Sequence, residues 1–327
     1  MEELNHQEVP ALPRTFPRLL RLVVFLSCTA VALEITLRVL VGLGNPPLYV
    51  EHPTIEYLLL PGSYRPFGNR VTINSANMRS PEAAIAPLRP LECRILVLGD
   101  SIVNGGSMID DSDLATALIA AVGSGARPVS VCNISAGSWG PGNWLAYLRD
   151  RGTFGAKFAI VVLNNEDALD APTFAPLDSD HPTAKPVLAV WELVDRYLPR
   201  YVPWLRMHRT AVPKEATSDP LAALREGVAE LRARGVTVAG VLFPSEMEVK
   251  GKSGTGSLML REVLESENVP VIELSWAFRE LLAQNQQPFR DGVHPSVLGQ
   301  RVLAERCVDL LRRLGLDLMP MPLGAGT

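Results

Sequence analysis

A chain of 327 residues, 47% of them hydrophobic, is long enough for one large domain with its own core plus an extension. With 31 Lys and Arg against 35 Asp and Glu, no clustered basic run and 6% aromatic residues, it offers neither a polyanion-binding surface nor a base-stacking platform, and nucleic acid is excluded as a partner. The four cysteines, Cys28, Cys93, Cys132 and Cys307, lack CxxC spacing and the density of a disulfide scaffold, which predicts free thiols rather than a zinc site or a redox motif.

Residues 1–18 are polar and proline-bearing and read as a tail. Residues 19–44, "LLRLVVFLSCTAVALEITLRVLVGLG", form the one long apolar stretch. Its uncharged part, Leu22–Leu33, is short for a bilayer span, but Glu34 and Arg38 stand at i,i+4 and can pair on one helix face, which extends the span to Leu43. Arg14, Arg18 and Arg21 precede it. The expectation is a transmembrane signal anchor, with residues 1–18 cytoplasmic and the rest of the chain extracytoplasmic, periplasmic or extracellular. Two readings compete with it: a cleaved signal peptide, for which Ala30-Val31-Ala32 would be the cleavage site, and a buried amphipathic helix.

Residues 45–92 carry short alternating runs between Pro and Gly/Asn clusters, which predicts a small β-hairpin extension followed by the linker "PEAAIAPLRPLE". From residue 93 to 327 the rhythm becomes strand, loop, helix. "RILVLGDS", "VSVCNIS", "FAIVVLN", "VTVAGVLFP" and "VPVIELS" read as five strands, separated by helical runs such as "DLATALIAAVG" and "DPLAALREGVAELRARG". Near-continuous apolar strands alternating with helices predict an α/β fold with a parallel sheet covered on both faces. No G-x-G-x-x-G follows a strand, so nothing points to a dinucleotide.

Two stretches carry chemistry. In "RILVLGDSIVNGG" (94–106) an apolar strand runs into Gly99-Asp100-Ser101. Asp and Ser are good helix caps, but a serine at the carboxyl end of a central strand also stands where open α/β sheets hold their sites. In "FRDGVHPSVLGQ" (289–300) Asp291 and His294 are three residues apart, ahead of a helix predicted to start at Pro295. A nucleophilic serine needs a base within hydrogen-bond reach and a carboxylate to fix that base's tautomer. Ser101, His294 and Asp291 are the residues to fill those roles.

"VLGDSIVNGG" followed far downstream by "DGVHPS" resembles the GDSL-type, or SGNH, serine hydrolases, over roughly Arg94 to Leu314. The resemblance implies a flavodoxin-like α/β/α sandwich with Ser101 as nucleophile, His294 as base and Asp291 as its partner, and ester chemistry with no cofactor and no metal. It also implies an oxyanion hole. The family's second element falls on "NISAGSWGPGN" (133–143), where the backbone N–H of Gly137 or Ser138 would serve. Its third, G-x-N-D, falls on "NNED" (164–167), which puts Glu166 where the family has asparagine. A one-residue shift would bring Asn165 in as the donor, and Asn143 is the alternative.

The expected function is therefore a membrane-anchored serine esterase, an acyl hydrolase or O-acyltransferase, acting on an ester, acetyl foremost, of a carbohydrate or other cell-surface molecule. A non-catalytic binding domain of the same fold and a lipid esterase stand beside it. Asp110, Asp111 and Asp113 read as loop-solvating and helix-capping residues, and Trp139 and Trp144 as lining either a cleft or the core.

Overall fold

The computed structural model describes residues 16–123, 127–202, 218–252, 254–319 and 321. Apolar side chains on every face carry helix α1 (Phe16–Thr36) into a π-helical turn at Leu37–Val41 that stops at Gly42. Over Arg18–Val41 the mean hydropathy is 2.0 and almost nothing is buried; among the described residues this is the one helix long and apolar enough to cross a membrane.

The next segment forms two antiparallel hairpins rather than one. Strand β1 (Tyr49–His52) pairs with β2 (Glu56–Leu59), and β3 (Gly62–Tyr64) with β4 (Val71–Ile73). Ile55, Tyr57, Leu59, Tyr64 and Ile73 are buried in the same apolar cluster as Leu96, Leu98 and Ile134 of the main sheet, so the hairpins share its core.

The main domain then runs β5 (Cys93–Gly99), α2 (Ser101–Asn104), α3 (Ala115–Ala121), β6 (Val129–Ser135), α4 (Pro141–Arg151) and β7 (Phe158–Leu163). It continues through α5 (Ala189–Glu192), α6 (Leu198–Tyr201), α7 (Pro220–Ala233), β8 (Thr237–Leu242), α8 (Glu246–Val249), α9 (Thr255–Ser266), β9 (Val271–Glu273), α10 (Ser275–Ala283) and α11 (Val297–Arg313). The five main strands are parallel, in the order β6-β5-β7-β8-β9. Numbered within this sheet, that is 2-1-3-4-5, the flavodoxin-like doubly wound order.

Strand periodicity divides the core in two. Leu96, Leu98, Ile134, Val161 and Leu163 face α4, α7 and α9, whereas Ile95, Val97, Ile160, Val162 and Val241 face α3, α10 and α11. Burial on both faces is why these strands read as continuous apolar runs. Cys132 and Cys307 are buried free thiols within these two clusters. The doubly wound order brings the loops after β5, β6 and β7 together at one sheet edge, beside the crossover between β5 and β7, where such folds bind ligands.

Candidate active site

Ser101 is set by the sharp turn after β5. A Cβ on Gly99 would lie 2.5 Å from Val103 Cγ2 and 3.1 Å from the Val162 carbonyl, so the return of the chain over the strand requires glycine. Asp100 caps α2 by accepting from Ile102 N (2.8 Å), which leaves Ser101 at the first helical position, and Gly105 closes the helix at a φ of 74°. Two buried side chains hold this short helix. Arg79 donates to the carbonyls of Asn104, Gly106 and Ile109 (2.6 Å each) and to Asp111 Oδ1 (3.0 Å). Gln300, on α11, donates to Ile102 O (2.7 Å) and accepts from Ala115 N (2.9 Å).

The loop before α11 presents the base. Helix α11 starts at Val297 with Ser296 as its N-cap. Pro295 lies outside it, bridged in antiparallel fashion to Phe289, because the chain must first close a loop in which Arg290 N donates to His294 O (2.9 Å). Within that loop Asp291 Oδ1 accepts from the backbone N–H of His294 (2.8 Å) and Val293 (3.0 Å). The Asp291 carboxylate also lies 2.9 Å and 3.0 Å from His294 Nδ1, and His294 Nε2 lies 3.0 Å from Ser101 Oγ. With Nδ1–H donating to Asp291, Nε2 is the acceptor that faces the serine hydroxyl. Partial burial raises the Asp291 pKa, but the backbone N–H donors and His294 outweigh it, and the carboxyl titrates below its ordinary value. The pair is open to solvent, with His294 and Asp291 side chains 35% and 46% exposed.

Beneath the serine lies an acidic floor. Asn164 Nδ2 donates to both Asp100 Oδ2 (2.9 Å) and Asp167 Oδ2 (3.0 Å), and Asp167 Oδ2 accepts in turn from Asn164 N (2.7 Å). Both carboxyls are buried. Burial, with added repulsion from Asp170 and Glu166, pushes Asp100 up to about 7 against the Ile102 N–H bond that favours its charged form. Asp167 is raised by burial and then by Asp100.

The oxyanion side departs from the sequence expectation. Gly137 is exposed on the loop after β6, and a Cβ there would meet nothing within 4 Å. Ser138 is differently engaged: its N–H donates to Tyr57 Oη (3.0 Å), and its Oγ lies 2.9 Å from the same oxygen. Asn165 is not brought to Ser101. The stretch 165–168 is a 3-10 turn, and the Asn165 carboxamide oxygen accepts from Gly256 N (2.9 Å) at the start of α9. Asn143 is fully buried, donating to Ile55 O (2.7 Å) and accepting from Gly140 N (2.9 Å), so it holds the hairpin against α4. Glu166 is exposed, and its N–H caps the turn through Asn164 Oδ1 (2.8 Å). Trp139 and Trp144 are core residues.

Tyr57, Arg79 and Gln300 were invisible to the motifs, and Asn164 stood in "NNED" without a role. Each acts across a long sequence separation, and none stands at a diagnostic spacing; only the "N" and "D" of "NNED" gave a hint of the acidic floor.

A serine hydroxyl bonded to an imidazole that is itself bonded to a carboxylate, at the switch point of a doubly wound sheet, has the chemistry of an acyl-transfer nucleophile. No protein-family model and no curated protein matches the chain. Among solved structures it is similar to a member of the lipolytic protein G-D-S-L family from Veillonella parvula, with 16% identity over 68% of this chain and 99% of that one and a TM-score of 0.42. It is also similar to a lipase/acylhydrolase from Enterococcus faecalis (18% identity, 71% and 100% covered, TM-score 0.42). A third similar structure is a two-domain esterase active on acetylated mannans (13% identity, 75% and 55% covered, TM-score 0.47). At this distance such likenesses bear on neither activity nor substrate, which rest on the site's own geometry.

Proposed function

We propose that the chain is a serine-dependent acyl hydrolase or O-acyltransferase. The observation that carries this reading is the unbroken hydrogen-bond chain Ser101 Oγ–His294–Asp291, with links of 3.0 Å and 2.9 Å. Ser101 Oγ attacks the ester carbonyl while its proton passes to His294 Nε2. Asp291 stabilises the imidazolium. The backbone N–H groups of Ser101 and Gly137 receive the developing oxyanion. Collapse expels the alcohol, which takes the proton from His294. The acyl-enzyme then passes its acyl group to water or to an acceptor hydroxyl. The open, polar surroundings of His294 and Asp291 favour a small acyl group, acetyl foremost, on a hydrophilic carrier such as a carbohydrate or another cell-surface molecule over a long-chain lipid.

The apolar helix at Arg18–Val41 supports a single-pass anchor, with the basic residues before it keeping the N-terminus in the cytoplasm and the site outside. The test is turnover of p-nitrophenyl acetate by the full-length chain, together with labelling by a fluorophosphonate. Turnover and a mass-spectrometric adduct on Ser101, both lost in Ser101→Ala, are expected; labelling elsewhere or none overturns the assignment. One observation favours a second reading. Glu166 stands at the sequence position from which a side-chain donor is expected, which fits a binding domain that has lost catalysis. Wild-type turnover no greater than that of Ser101→Ala would select it.

A further inference from the structure

Exposed apolar side chains on a folded domain are usually scattered, and a concentrated patch marks a contact. Outside α1, one such patch stands out. Helices α5 and α6 are joined by a π-helical turn at Leu193–Tyr197 into one helical segment. Its inner side, Ala189, Val190, Leu193 and Tyr197, packs against Leu37, Leu43 and Phe67. The other side exposes Leu188, Trp191 and Val194, at i,i+3 spacing, with Asp195 beside them; Trp191 is 65% and the preceding Val187 89% open. Four exposed apolar side chains within residues 187–194 make a concentrated patch of the kind that marks a contact.

The segment is locked to the end of α1. Glu34 accepts from Ala189 N (2.8 Å) and Val190 N (3.1 Å), Arg38 Nη2 donates to Val187 O (2.7 Å), and Glu192 Oε2 accepts from Gly44 N (2.6 Å). The Glu34–Arg38 pair expected from the sequence does form, at 2.6 Å. Its further role is to tie the end of the apolar helix to residues 187–190. These bonds fix the height of the patch. They place residues 187–190 beside Glu34 and Arg38, in the last two turns of the apolar span, where Val39 and Leu40 are also exposed.

We propose that this segment is a second, non-spanning membrane contact, with Leu188, Trp191 and Val194 seated at the headgroup–acyl boundary of the leaflet from which α1 emerges. Apolar and indole side chains are favoured at that depth. The proposal rests on the reading of α1 as an anchor. Its consequence is orientation: a helix alone leaves the catalytic domain free to swing, whereas a second contact beside it holds the domain, and with it the site, at a fixed attitude to the bilayer.

The test uses the full-length chain, carrying Cys28→Ser and Cys93→Ser, in phosphatidylcholine vesicles. A nitrobenzoxadiazole label is placed at Leu188→Cys or, as a second position, Val194→Cys. Phe25→Cys reports on the anchor and Asp317→Cys on solvent. The expected result is blue-shifted emission at 188 and 194 relative to 317, quenched more by shallow than by deep spin-labelled lipid, with 25 quenched by the deep probe. If 25 is quenched while 188 and 194 emit as 317 does, the anchor stands and the second contact falls. If 25 is quenched by neither probe, both fall. Blue-shifted emission at 188 that no lipid probe quenches, in a chain that runs as a dimer, would mean that a second copy covers the patch and would overturn the lipid contact.

Discussion

The paired carboxyls under the nucleophile make stability depend on pH in a direction opposite to that of most acids, and Asp167→Asn tests this. Asp100 and Asp167 are buried side by side on one amide, Asn164 Nδ2, which cannot neutralise two charges. Their folded pKa values are raised, so the folded chain retains protons that the unfolded chain releases above about pH 4. Stability from this pair is complete below that pH and is lost progressively from there as pH rises through about 7 for Asp100 and through the raised pKa of Asp167. Raising Asp100 from 3.8 to about 7 corresponds to at most about 4 kcal/mol, at about 1.4 kcal/mol per pH unit. Asparagine at 167 keeps an oxygen for Asn164 N–H, removes one titrating group and relieves the repulsion on Asp100. In urea denaturation of the detergent-solubilised chain, the wild-type midpoint should fall between pH 5 and pH 9. The variant should lose less than half as much and be the more stable protein at the alkaline end. Asp110, Asp178 and Asp291, whose pKa values are lowered, act in the opposite sense. They stabilise above about pH 4 and lose that contribution in acid, equally in both proteins, so the difference curve isolates the pair. Parallel curves from pH 5 to 9, or a variant weaker than wild type at pH 9, would refute the reasoning.

Three further outcomes are expected with p-nitrophenyl acetate. Asp291→Asn should lower kcat by about 10²–10⁴ with little change in KM, since the imidazole loses the partner that fixes its tautomer, and near-wild-type turnover would remove Asp291 from that role. Tyr57→Phe keeps the ring packed on Tyr49, Trp139 and His181 but frees Ser138; kcat should drop about tenfold at constant KM while Tm moves by only a few degrees, and a loss that merely follows Tm would make Tyr57 structural. Asn165→Ala should fall far short of the roughly 10²–10³ loss that removing an oxyanion donor causes, because its amide is turned to Gly256, whereas Glu166→Asn should raise kcat; the reverse pattern would return Asn165 to the hole.

What was legible in the sequence is what local pattern controls. Four of the five strands, β5 to β8, are buried on both faces and read as apolar runs, while the edge strand β9 is only half-buried. The sharp turn at Gly99 and the three-residue spacing of Asp291 and His294 are also local, so both halves of the hydrogen-bonded trio could be picked out although Ser101 and His294 are 193 positions apart. What was not legible depends on how loops meet. Asn165 and Asn164 are indistinguishable as letters, and only the 3-10 turn at 165–168 decides that one amide faces the carboxyls and the other α9. Tyr57 reaches Ser138 from a hairpin 81 residues away. The Glu34–Arg38 pair could be anticipated, but not its grip on residues 187–190.

The charge around the serine limits when such a site can work. An oxyanion forming at Ser101 N and Gly137 N would lie near Asp100 and Asp167, with Glu166 and Asp170 adding to the negative field on that buried pair. Were all of these ionised, the field would oppose the tetrahedral intermediate that the backbone donors stabilise. Burial counters this by keeping Asp100 protonated up to about pH 7 and by raising Asp167 as well, so the nucleophile sits over neutral acids while His294 must be unprotonated to accept the serine proton. Two opposed requirements give a bell-shaped rate profile whose alkaline limb belongs to the acid pair rather than to the base. In Asp167→Asn the pair can no longer carry two charges. The alkaline decline in kcat should flatten while the acid limb stays in place. An alkaline limb identical in the two proteins would mean that the buried carboxyls do not act on the reaction and only the backbone donors shape it.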